Sequence, residues 1–156
     1  MKILFMCTHN SCRSILCEAL FNHLAPAHLV AVSSGSFPSG RVNPRALQTL
    51  AAAGIAIEGL SSKASEAFED SPPDLVITVC DRAADEACPL YFGPALKAHW
   101  GLVDPSLVSG SEAEIGAAFQ AALATIRRRV TAFLALPLAD LSRDRLQVEL
   151  IRIGTL

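Results

Sequence analysis

Cys7-Thr8-His9-Asn10-Ser11-Cys12-Arg13-Ser14 decides how the rest of this chain reads. It follows a short apolar run, Lys2-Ile3-Leu4-Phe5-Met6, of the kind that forms a buried strand over residues 2–6. A helical pattern begins at Arg13 and runs over 13–24, with Ile15, Ala19 and Leu20 on an apolar face. Cys7 therefore stands where a strand ends and Arg13 where a helix begins, with five residues between them. Such a junction suits an oxyanion. Loop N–H groups and the helix N-terminus offer donors and a favourable dipole, and Arg13 adds a planar fork of donors. The same positive surroundings favour the thiolate of Cys7, its nucleophilic form. A cysteine at a strand end is often only a small buried hydrophobe; the Cys-x5-Arg spacing across the junction argues for chemistry instead. Cys7 is the candidate nucleophile. Thr8, His9, Asn10, Ser11, Cys12, Arg13 and Ser14 form the candidate oxyanion-binding loop, although His9 also reads as a solvated side chain and the Cys12 side chain as loop filler.

Outward from this stretch, strands alternate with helices. Leu29-Val30-Ala31-Val32-Ser33 reads as a second strand, closed by Ser34-Gly35. Asn43 caps a helix with Pro44 in its first turn, running to about Ala53 and stopping at Gly54. Ser61 to Phe68 reads as a short helix, and Pro72-Pro73 separates it from a third strand over Asp74 to Val79. Ala95 to Trp100 reads as a short fourth strand. From Glu112 a long helix places Phe119, Leu123, Ile126, Val130 and Phe133 at helical spacing and ends at Pro137. A last helix starts near Ser142, with Leu146, Leu150 and Ile153 on one face and Gly154 at its end. This alternation predicts an α/β fold, a parallel sheet covered on both faces. Ligand sites of such sheets lie at the carboxyl edge of the strands, where Cys7 stands.

The chain has 156 residues, which fits one domain over 1–156 with a helical extension over about 138–156. Just over half of the residues are apolar, enough for an autonomous core, and the net charge is −2. No basic stripe points to nucleic acid, and Arg127-Arg128-Arg129 reads as a solvated helix face. No segment approaches the about 20 apolar residues of a membrane span. The first apolar run is broken at once by Thr8-His9-Asn10-Ser11, unlike a signal peptide, so a cytoplasmic protein is expected. Five cysteines, Cys7, Cys12, Cys17, Cys80 and Cys88, are an odd number with no Cys-x2-Cys pair. That argues against a disulfide scaffold and a zinc knuckle, and for catalytic or redox use. No bound metal or cofactor is expected.

Three further features belong at the edge where Cys7 stands. Cys80 ends the third strand, Cys88 lies in the following loop, and Asp104-Pro105 follows the fourth strand. Asp104 is placed to act as a general acid, though an Asp before Pro also starts turns. Cys80 and Cys88 bracket a segment that, fully extended at about 3.3 Å per residue, holds them beyond disulfide reach. A helical or coiled 81–87 brings them together; otherwise the segment must move. Cys17, inside a helical pattern, reads as packing.

With these residues the chain resembles the low-molecular-weight protein tyrosine phosphatase superfamily, whose loop is Cys-x5-Arg-Ser. It resembles most closely the arsenate reductases on that fold. The loop form Asn10-Ser11-Cys12-Arg13-Ser14, the pair Val76-Ile77-Thr78-Val79-Cys80 and Cys88-Pro89, and His99-Trp100-Gly101 followed by Asp104-Pro105 carry the likeness over about residues 1–136. The helix after Pro137 resembles a tail of some bacterial members. The resemblance implies a three-layer sandwich on a four-stranded parallel sheet and reduction of arsenate to arsenite. Cys7 attacks arsenic, Asp104 protonates the departing oxygen, and electrons pass through a Cys7–Cys80–Cys88 disulfide relay. It also implies an external reductant, thioredoxin or glutathione with glutaredoxin; the Cys80–Cys88 interval, one residue longer than in the thioredoxin-coupled pattern, leaves both open. Some relatives hold a potassium ion beside the loop. Asn10, Glu18 and Ser33 match those positions here, and Lys63 stands in place of an Asp; its ammonium is expected to take the cation's place and pair with Glu18, the alternative being an exposed surface lysine.

Two rival readings remain. A tyrosine phosphatase shares Cys7 and Asp104, but its relatives carry tyrosines just after the acid; here stand Pro105, Ser106 and Leu107, and the only Tyr is Tyr91. A thiol sensor without turnover would use the same cysteines, but nothing in the chain suggests a DNA-binding element.

Overall fold

The computed structural model describes residues 1–80 and 93–156. In chain order these form β1 (Lys2–Cys7), α1 (Arg13–Leu24), β2 (Val30–Gly35), α2 (Pro44–Ala52), a 3-10 turn (Ser65–Phe68), β3 (Leu75–Thr78), β4 (Leu96–His99), a second 3-10 turn (Pro105–Leu107), α3 (Glu112–Leu134) and α4 (Arg143–Ile153). The four strands pair in parallel in the order β2-β1-β3-β4. Cys7 pairs with Gly35, Met6 with Thr78, and Thr78 with His99. Parallel register thus brings all four strand ends, and the segments that leave them, to one edge.

Strand alternation sends neighbouring side chains to opposite faces. Ile3 and Phe5 enter the larger core with α1, α3 and α4, while Leu4 and Met6 pack with Val76, Ala95, Val32 and Phe68 on the other side. The larger core holds a chain of tilted rings, Trp100–Phe5–Phe21–Phe133, closed by Trp100 against Phe133, with centroids from 5.8 to 6.5 Å apart. Full burial of such a side chain contributes about 1.5–3 kcal/mol.

Helix starts follow the sequence reading. Asn43 Oδ1 accepts from the N–H groups of Arg45 and Ala46. Ser142 Oγ accepts from Arg145 N. Ser111 and Glu114 form a reciprocal capping box at α3.

Four elements depart from expectation, each for a tertiary reason. Instead of showing one apolar face, α1 buries every residue from Ser14 to Phe21, because it is packed against β1 and β2 as well as α2 and α3. The expected helix over 61–68 shrinks to one turn at Ser65–Phe68, since residues 62–63 are drawn out to bond the Cys7 loop. The strand β2 runs on to Gly35, where it pairs with Cys7. Lastly, Arg127-Arg128-Arg129 is not a solvated face throughout: Arg127 and Arg128 are exposed, but Arg129 is buried.

Candidate active site

Between Cys7 and Arg13 the chain curls into a loop whose carbonyls are held from outside. Cys7 O accepts from Ser36 N, Thr8 O from Phe37 N, His9 O from Ser39 N and Ser62 Oγ, and Ser11 O from Asn43 N. The N–H groups of Thr8 through Ser14 find no acceptor among the described residues. A ring of unused donors ahead of the α1 N-terminus is what an oxyanion needs. Asn10 makes the curl possible by adopting φ +47°, in the left-handed region where Asn is tolerated better than most residues. Gly35 leaves room for it: a Cβ there would lie 2.6 Å from Thr8 O and 2.9 Å from Asn10 N.

One buried network ties this curl to Cys7. The Asn10 amide donates to Ser14 Oγ at 2.8 Å and to Ser33 Oγ at 2.9 Å, and its Oδ1 accepts from Lys63 N at 2.9 Å. Ser33 therefore turns its own proton to Glu18 Oε1, 2.8 Å away. Ser14, which also accepts from Asn10, has its proton free for Cys7 Sγ at 2.9 Å. Lys63 Nζ lies 3.7 Å from Glu18 Oε1, an ion pair beyond hydrogen-bond distance.

Burial is the chief cause that raises Glu18 above its ordinary value of 4.5, against lowering by Lys63 and Ser33. Above 4.5 and below its folded value, Glu18 holds its proton more tightly in the native state than in the unfolded chain. Stability therefore falls as pH rises through that window and levels off above it. Glu18→Gln should remove this slope. Lys63→Met should push the window upward and cost about 1–2 kcal/mol at neutral pH, by leaving a buried carboxylate unpaired. Urea unfolding at stepped pH measures both; an unchanged slope in Glu18→Gln would contradict the assignment.

Arg13 reaches across to the segment after β4. Its Nη1 donates to Leu102 O at 3.0 Å and its Nη2 lies 3.3 Å from Asp104 Oδ2. The other oxygen of Asp104 accepts from Ser106 N at 2.9 Å and Ser106 Oγ at 2.6 Å, capping the second 3-10 turn. Asp104 thus starts a turn with one oxygen, as the Asp-Pro reading expects, and faces Arg13 with the other.

Cys80 is buried just beyond β3, and its Sγ lies 3.4 Å from the hydroxyl of Thr8, the neighbour of Cys7. Cys88 lies outside the described residues. Cys12 is buried at the N-cap of α1, and burial first, then Asp104 and Cys7, pushes its thiol up to about 12. Cys17 is raised further by burial. In both, burial disfavours the thiolate. His9 is exposed and its Nδ1 lies 3.1 Å from Phe37 O. Sequence reasoning missed Gly35, Ser62 and Leu102, which shape the site through a close approach, a carbonyl contact and a backbone oxygen. Of these, only Gly35 carried a signal, a glycine at the end of a strand.

Comparison with known proteins gives the family of the chain. Residues 2–147 match the low molecular weight phosphotyrosine protein phosphatase family. An arsenate reductase of Bacillus subtilis is 34% identical over 131 residues, spanning 84% of this chain and 93% of that protein. A solved arsenate reductase in the phosphate binding state superposes with a TM-score of 0.69 at 28% identity, covering 86% of this chain and 96% of the other. A thioredoxin-dependent arsenate reductase of Corynebacterium glutamicum gives a TM-score of 0.60 at 26% identity, covering 81% of this chain and 58% of that one. The matched span takes in the Cys7 loop, Cys80 and Asp104 alike, and the chain belongs to the low molecular weight phosphotyrosine protein phosphatase family, among relatives named arsenate reductase.

Proposed function

We propose that this protein reduces arsenate to arsenite, with Cys7 as nucleophile and Cys80 and Cys88 as relay thiols. The observation that carries the reading is the pairing of a donor-lined loop around Cys7 with a second buried thiol, Cys80, 3.4 Å from the hydroxyl of the next loop residue. A phosphatase needs only the first of these. The relatives at 28–34% identity bear arsenate reductase names, which favours the same choice.

In this reading arsenate enters the loop, its oxygens taking the N–H groups of residues 8–14 and the Arg13 fork. The anion competes with Asp104 for Arg13. The Cys7 thiolate attacks arsenic, an As–O bond breaks, and Asp104 protonates the departing oxygen so that water leaves. The Cys80 thiolate then attacks Cys7 Sγ. The S–As electron pair stays on arsenic, which departs as arsenite, and a Cys7–Cys80 disulfide remains. Cys88 attacks Cys80, restoring the Cys7 thiolate and leaving Cys80–Cys88, which an external dithiol or glutathione reduces. Glu18, Ser33 and Lys63 act as loop support, Lys63 supplying the positive charge beside Glu18. The thioredoxin-dependent Corynebacterium relative supports thioredoxin as donor; glutathione with glutaredoxin is the other candidate. No helix of the described residues is long and apolar enough to cross a membrane, and a cytoplasmic setting, with its thiol reductants, suits the proposed chemistry.

Arsenate-dependent NADPH oxidation tests this, run in parallel with thioredoxin and its reductase and with glutathione, glutaredoxin and glutathione reductase. Turnover in either is the expected result, and the faster system names the donor. Silence in both, with brisk hydrolysis of p-nitrophenyl phosphate, would make the protein a phosphatase.

A further inference from the structure

The buried Arg129 has no part in the chemistry above. It lies on α3 and makes four hydrogen bonds, all to main-chain oxygens: Nη1 to Trp100 O and Gly101 O at 3.0 Å each, Nη2 to Gly154 O at 3.1 Å and Nε to Leu156 O at 3.3 Å. These oxygens come from two distant segments, the exit from β4 and the end of α4. A buried guanidinium is costly to desolvate, and here carbonyl dipoles compensate it without a carboxylate side chain among the described residues.

What Arg129 grips leads directly to Asp104. The segment 101–104 has few other anchors: Leu102 N donates to Val79 O and Leu102 O accepts from Arg13, while Val103 is 83% exposed. Beneath it lies a cleft of about 400 Å³, lined by Gly101, Leu102, Val103, Pro105 and Arg129. Side chains do not fill the space under this segment, so its position depends on tethers. The α4 side is equally specific. Trp100 Nε1 donates to Leu150 O at 2.9 Å, and Gly154 packs so tightly that a Cβ there would lie 2.6 Å from His99 O and 3.0 Å from Trp100 Cδ1.

We infer that Arg129 is a positioning residue for the acid segment: it clamps the end of α4 to Trp100 and Gly101 and thereby fixes where Asp104 stands over the nucleophile loop. The inference rests on the reading of Asp104 as the general acid. It gives α4, which packs against β4 and α3, a role in the first chemical step. A misplacement of about 1 Å by a remote change can lower a rate up to about 100-fold.

Single-turnover arsenite formation, without any reductant, isolates the chemistry from recycling. Asp104→Asn should slow it about 100-fold or more. Arg129→Gln should slow it about tenfold at saturating arsenate with an unchanged half-saturating concentration. In the double variant Arg129→Gln should add less than about twofold, because the two changes remove one function. Arg129→Lys should recover part of the loss. Gly154→Ala, which pushes on the same clamp from α4, should reproduce the Arg129→Gln effect, and it decides the matter if Arg129→Gln does not fold. A full-speed Arg129→Gln beside a slow Asp104→Asn overturns the inference alone, as does a full tenfold loss in the double variant or a full-speed Gly154→Ala. A full-speed Asp104→Asn removes the acid assignment and overturns both.

Discussion

Cys7→Ser, Cys80→Ser and Cys88→Ser should each abolish multiple turnover of arsenate, a loss of about 10³-fold or more, and each should stop at a different point. Cys7→Ser makes no bond to arsenic and forms no arsenite. Cys80→Ser still presents the Cys7 thiolate to arsenate, but no second sulfur can take Cys7 away from arsenic, so arsenite stays unformed. Cys88→Ser should release about one arsenite per chain and then halt as a Cys7–Cys80 disulfide, detectable as the loss of two free thiols. Counting arsenite released per chain and titrating thiols afterwards distinguishes the three. The surroundings make the Cys80 variant the most informative. Its sulfur is buried and tied to the Thr8 hydroxyl, so serine should fit with little structural change. Sustained turnover in Cys80→Ser would end the relay proposal while leaving the anion loop intact.

Arg13→Lys is expected to lower kcat/KM for arsenate by about 10²–10³, although the charge is kept. Arginine here does two jobs with two nitrogens: Nη1 holds Leu102 O at 3.0 Å and Nη2 faces Asp104 at 3.3 Å. A lysine presents one compact ammonium and cannot match an oxyanion bidentately while also anchoring the acid segment. The loss should appear in both parameters, since the fork binds the ground state and also places the proton donor. Steady-state NADPH oxidation with the better reductant measures it. A variant within a fewfold of the parent would mean that the loop N–H groups and the helix dipole hold the anion alone.

Much of this site is legible in the amino-acid sequence. The spacing of Cys7 and Arg13, a strand before and a helix after, places a cysteine and a loop of N–H donors at the carboxyl edge of a parallel sheet. Asn43-Pro44 and Ser142 announce helix starts because caps are local, a side chain answering backbone N–H groups two or three residues away. Lys63 departs from the family pattern, and its expected pairing with Glu18 is met by an Nζ–Oε1 distance of 3.7 Å. Other features stay hidden, because they are contacts across long separations. Residues 61–64 read as helix from local pattern, yet Lys63 N and Ser62 Oγ serve Asn10 and His9, and those bonds outweigh a weak helical preference. Arg129 sits in a run of three arginines, where nothing local separates the buried one from its exposed neighbours.

By itself the sequence determined the order of the elements, the parallel α/β class and the position of the Cys7–Arg13 loop between a strand and a helix, because hydrophobic period, caps and motif spacing act over a few residues. The tertiary structure alone decided the rest. It curled Asn10 into a left-handed turn against Gly35 and aimed the Ser14 hydroxyl at Cys7 through Asn10. It divided the two oxygens of Asp104 between a turn and Arg13, and it turned Arg129 inward onto four carbonyls. Each of these depends on where segments tens of residues apart come to rest, and burial, by stripping water from polar groups, makes their partners obligatory.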